Sequence, residues 1–165
     1  MTSPFRALAI AGALLGPVAA AAQSGATIRA GALTISGAEV VAATAAAPTA
    51  AAYLTIANAG ATADRLVAVE TPAARRAELH ETVVTDGVAR MVALGDGVEA
   101  PAGGAATLAP RGAHVMLMGL AAPLEDGGTL PLTLVFETAG RVEIAAEVHV
   151  GAPMRGMEHG MGHGG

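Results

Sequence analysis

The chain contains no cysteine, no tryptophan and no lysine among its 165 residues. Without cysteine, disulfide frameworks, thiolate zinc sites and thiol nucleophiles are all excluded. Only Phe5, Tyr53 and Phe136 are aromatic, so a core must be assembled from Val, Leu, Ile and Ala. Every one of the nine basic residues is arginine, set against 14 acidic residues. The resulting net charge of −5 argues against nucleic acid or an anionic membrane as the main partner. Long apolar runs are also scarce. Nothing after the N-terminal region approaches the ~20 apolar residues that span a bilayer. Ser3, Ser24 and Ser36 lie in or near the N-terminal region, and no nucleophile-elbow motif surrounds them. A hydrolase is therefore not expected, and the chain reads as a binding protein with no catalytic residues.

Residues 1–22 have the pattern of a cleaved secretory signal. Arg6 supplies the positive start, 7–15 is a short apolar stretch, and Gly16-Pro17 breaks it. Ala20, Ala21 and Ala22 then form a small-residue cleavage site ahead of Gln23. No cysteine follows, so a lipid anchor is not expected, and the mature protein should be soluble in a periplasm or outside the cell. Residues 23–150 read as one all-β domain. Branched or alternating runs occur at 26–35, 51–58, 65–70, 77–84, 88–94, 105–108, 114–120, 129–138 and 142–150. Turn clusters such as Asn58-Ala59-Gly60 and Thr85-Asp86-Gly87 separate them. That spacing predicts an antiparallel β-sandwich or barrel. Pro48 makes the alanine-rich stretch 42–52 a loop feeding a strand, not a helix. Residues 151–165 contain no branched core-forming side chain and read as a flexible tail rich in glycine, histidine and methionine.

Two patches carry chemistry. In His114-Val115-Met116-Leu117-Met118, strand alternation puts His114, Met116 and Met118 on one face. Such side chains either ligate a metal or fill a core, since methionine is a common gap-filler; Met118 is expected in the core. His80 and Met91 flank a hairpin turn that can bring them together. Two imidazoles and two thioethers complete a four-coordinate set suited to Cu(I), and they avoid a thiol that an oxidising compartment would convert to a disulfide. His149, at a strand end, is expected to be structural or exposed.

The same residues resemble the signature of the periplasmic copper chaperones called PCu(A)C: a histidine, a methionine about a dozen residues on, then His-x-Met. Here these are His80, Met91, His114 and Met116. Ala52-Tyr53-Leu54-Thr55-Ile56, Ala63-Asp64-Arg65-Leu66, Glu78-Leu79-His80-Glu81 and Leu132-Thr133-Leu134-Val135-Phe136 are similar to the family as well. Two departures stand out. Glu81 occupies a position where family members often have methionine, and 38–42 lacks the Trp and Arg often found there. The resemblance implies a cupredoxin-like fold, the four residues as Cu(I) ligands, and delivery of copper to the copper-accepting subunit of a respiratory oxidase or to another periplasmic copper protein. A periplasmic protein that sequesters copper without delivering it would need the same ligands.

Met154, Met157, His159, Met161 and His163 make the tail a candidate secondary copper site, with imidazoles favouring Cu(II) and thioethers Cu(I). A blue-copper electron carrier is excluded for want of cysteine. A copper monooxygenase built on an N-terminal histidine is excluded because cleavage exposes Gln23.

Overall fold

The computed structural model describes residues 26–151. The expected signal at 1–22 and the tail ligands Met154, Met157, His159, Met161 and His163 lie outside them. Eleven strands follow one another: β1 (Ile28–Ala30), β2 (Leu33–Ala42), β3 (Thr49–Asn58), β4 (Asp64–Glu70), β5 (Ala74–Thr85) and β6 (Val88–Ala93) come first. Then come β7 (Val98–Ala100), β8 (Ala105–Leu108), β9 (Ala113–Leu120), β10 (Thr129–Phe136) and β11 (Gly140–Val150). The all-β expectation holds. No helix among the described residues is long and apolar enough to cross a membrane.

The strands form one hydrogen-bonded sheet in the order β6-β5-β9-β3-β2-β11-β10-β4-β7, with β1 on β2 and β8 on β3. Although β4 and β5 are far apart in that order, they are in contact, so the sheet folds over on itself around a shared core. Alternation supplies that core. Val40 from β2, Leu54 and Ile56 from β3, Leu79 from β5, Val115 and Leu117 from β9, and Leu132 and Leu134 from β10 are all buried together. Burying such side chains stabilises by about 1.5–3 kcal/mol each. Pairing is antiparallel except for β2 with β11, which run parallel.

Several expectations need correction. The single run at 26–35 is two strands, because Gly31 turns the chain at φ 60°. Residues 38–42, not expected to be a strand, complete β2. The reason lies at Gly37, whose φ of 61° and register shift against β3 mark a β-bulge. The extra residue switches the inward side chains from Leu33 and Ile35 to Ala38, Val40 and Ala42, so a search for unbroken alternation stops there. The loop expected at 42–52 shortens to 43–48, with β3 starting at Thr49. The short strand β7 is only three residues long, too short to show alternation in the sequence.

Candidate metal centre

β5, β9 and β3 lie side by side, and β6 is the sheet edge beyond β5. Since Leu79, Val115 and Leu117 point into the core, alternation directs His80, His114 and Met116 to the opposite, outward face. His80 and His114 are Cα partners across β5 and β9, with ring centroids 6.3 Å apart and planes 25° from parallel. Met116 follows His114 on that face and sits opposite Glu78. On β6, Ala93 faces His80 and Met91 faces Thr82, so Met91 is two pairs further along from His80, on the same face. All four sequence-predicted residues therefore share one face of three adjacent strands. With neighbouring strands about 4.8 Å apart, His80, His114 and Met116 lie close together, while Met91, on the edge strand, is displaced along the sheet in the direction opposite to Met116.

The turn between β8 and β9 orients His114. Its Nδ1 lies 3.0 Å from the carbonyl oxygen of Gly112, which also accepts the Thr82 N–H at 3.2 Å. A carbonyl can only accept, so Nδ1 carries the proton and Nε2 presents its lone pair. His80 Nδ1 faces the Glu78 carbonyl at 3.4 Å, while its Nε2 stands 3.8 Å from the Glu78 carboxylate. Glu78 in turn pairs with Arg76. Both imidazoles thus turn Nδ1 toward a backbone carbonyl, the kind of support that fixes metal-ligating histidines.

Exposure is graded across the face. His114 is buried at 6%, the His80 side chain is 17% exposed, and Met91 on the edge strand is 57% exposed. Met116 is half-buried. Met118, expected in the core, instead lies half-buried on the outward face opposite Arg76, because it shares the alternation of Met116. His149 is also half-buried outward, its Nε2 3.8 Å from the Glu39 carboxylate.

The residue that sequence reasoning left without a role at this site is Tyr53. It is 6% exposed, its ring centroid is 6.4 Å from that of His114, and the two planes meet at 55°. Burial, and then the negative charge of its partner Glu39, push its phenol pKa up, so it stays neutral. Alternation puts Tyr53 on the face of Ala51, but only the register of β3 against β9 puts it next to His114.

Among the described residues, no three His, Asp or Glu side chains gather in a way that could hold a metal ion. The candidate donors on this face are therefore the two imidazoles and the thioethers, a soft-to-borderline set. A cleft of about 640 Å3 elsewhere, between the β1–β2 turn and the β10–β11 turn, contains none of these residues. Its buried Asn58 and Asp64 already bond to backbone groups.

The LpqE-like family model matches residues 33–148, most of the domain. The chain belongs to this family, which is the PCuAC family. Solved PCuAC domains agree. The apo PCuAC domain from PmoF1 is 32% identical, with a TM-score of 0.64, covering 76% of this chain and 99% of that one. The copper-bound PCuAC domain from PmoF2 is 26% identical, with a TM-score of 0.63 over 76% of this chain and 98% of that one. The Cu(I) form of DR1885 from Deinococcus radiodurans is 36% identical over 68% of this chain and 75% of that one, with a TM-score of 0.56. A protein named "Putative lipoprotein Lxx21020", from Leifsonia xyli subsp. xyli (strain CTCB07), is 39% identical over 98 residues. That match spans 59% of this chain and 59% of the relative. The PCuAC neighbours have a cupredoxin-like β fold, and the family resemblance read from the sequence agrees with them.

Proposed function

We propose that this PCuAC protein is an exported carrier of Cu(I), with His80, Met91, His114 and Met116 as the ligands. The observation that carries the reading is the direct pairing of His80 with His114, with Met116 and Met91 on the same face of the neighbouring strands. Two neutral nitrogens and two thioethers hold Cu(I) by soft donation and release no proton from sulfur. Copper-bound members among its structural relatives support copper as the cargo. The lipoprotein name of a sequence relative supports export, and the signal-like 1–22 supports a periplasmic location with cleavage near Ala22.

A carrier must also let go. The graded exposure supports release over the β6 edge, where Met91 is open to solvent and an acceptor sulfur or imidazole can displace it first. His114 at 6% exposure would be the last bond broken. We take the acceptor to be the copper centre of a respiratory oxidase or another periplasmic copper protein, and the chain to act as a chaperone, not an enzyme. The tail residues Met154, Met157, His159, Met161 and His163 would form the weaker secondary site, with some preference for Cu(II). Delivery is tested by mixing Cu(I)-loaded protein with an apo oxidase copper domain and following the acceptor's metal-centre spectrum. Transfer faster than release to buffer supports delivery. Retention of copper with no acceleration would leave a sequestering protein.

A further inference from the structure

The buried aromatic beside the candidate ligands supports a role of its own. On the outward face of β3 and β9, Tyr53 and His114 are each 6% exposed, although the face as a whole is turned to solvent. Tyr53 occupies the place where β3 exchanges partners. Residues 49–52 pair with β9, ending with Ala52 opposite Val115, and from Leu54 onward the partner is β8. The chain between β8 and β9 folds back at this point through the bonds from Gly112 N–H to Ala109 O and from Ala109 N–H to Ala113 O. Gly112, the residue whose carbonyl holds His114 Nδ1, belongs to that same turn. His114 is therefore held on two sides, by a carbonyl at its Nδ1 edge and by the tilted ring of Tyr53 at a centroid distance of 6.4 Å. On its third side stands His80.

We propose that Tyr53 is a positioning residue for copper: it fixes the His114 ring and closes the β3 side of the site to water. Copper would then enter and leave only over the β6 edge. An aromatic ring suits the task, because its large, rigid apolar body beside the imidazole leaves water little room on that side. The proposed role belongs to the ring, which phenylalanine keeps. The inference rests on the Cu(I) reading above.

The test is competition for Cu(I) against bathocuproine disulfonate, using the full chain and its Tyr53→Phe and Tyr53→Leu variants. Removing a group that orients a metal ligand typically weakens affinity ~10–100-fold, and Tyr53→Leu should fall in that range. Tyr53→Phe should stay within about threefold, which a role confined to the hydroxyl would not allow. Tyr53→Leu should also speed copper release to the chelator. Tyr53 is the only tyrosine and tryptophan is absent, so its emission is a single-residue reporter. It should change in step with one equivalent of Cu(I), and this decides the matter if Tyr53→Leu does not fold. Unchanged affinity in folded Tyr53→Leu, or unchanged emission on loading, overturns the inference while leaving the copper reading intact. A wild-type chain that binds no Cu(I) overturns both.

Discussion

At the scale of single residues, the site depends on which nitrogen each histidine offers. Gly112 decides it for His114 by accepting from Nδ1. His114→Ala removes the most buried donor and should abolish tight Cu(I) binding. Met91→Ala should weaken binding by at least tenfold, about 1.4 kcal/mol, and should raise the release rate more than it slows capture, because Met91 is the most exposed of the proposed ligands. Stopped-flow transfer to a chelator separates the two; equal rates for Met91→Ala and wild type would place Met91 outside the coordination set. The four candidate ligands could be singled out from residue type and spacing, and the strand register adds that they share one face. Tyr53 was not, since what makes it part of the site is a strand register between residues far apart in the chain, which alternation alone cannot supply. Met118 was misplaced for a related reason: alternation assigns it the same face as Met116, and that face turned out not to be the core.

At the scale of elements, the β5–β6 hairpin puts Met91 on the face that carries His80 and His114. Asp86 and Gly87 both have positive φ, 51° and 77°, as a two-residue type I′ turn requires. This turn was readable in the sequence as Asp-Gly between two branched runs. Beyond the turn the hairpin has little support, since every residue of β6 is exposed, Val88, Met91 and Val92 among them. Gly87→Val forces a branched residue into the left-handed region at a cost of about 1–2 kcal/mol. It should lower Tm and also weaken Cu(I) binding, although residue 87 is no ligand. A lowered Tm with unaltered Cu(I) affinity would show that the hairpin does not present Met91 to the metal. The bulged strand β2 shows the opposite situation. Gly37 changes the phase of the inward side chains, so a regular strand looked like the end of one.

At the scale of the whole molecule, distant loops are tied down by a few buried polar groups. Burial of Asp64 works to raise its pKa, but N–H groups of Thr138, Arg65 and Ala139 donate to it and outweigh burial, holding the carboxyl below its ordinary value. Such a group stabilises the fold fully above the unfolded carboxyl pKa of about 3.9, and that contribution disappears as pH falls through the lower native value. Asp64→Ala leaves those N–H groups without their acceptor and should cost about 1–3 kcal/mol. The acid limb of its stability curve, read by circular dichroism, should also be shallower than that of wild type. An identical acid limb in the variant would remove Asp64 from the account.

On the proposed reading, the copper capacity of the whole chain divides in two. Deleting 152–165 should lower copper stoichiometry while leaving the tight Cu(I) site in place; unchanged stoichiometry would leave the tail with no copper role. The sheet site itself is tested most directly by Cu(I) competition against a chromophoric chelator, on the wild-type chain beside a His114→Ala, Met116→Ala double variant. One tight site per chain is expected, retained without the tail and lost in the double variant. Equal Cu(I) binding by the wild-type chain and the double variant would contradict it, because copper would then be held somewhere other than the β5–β9 face.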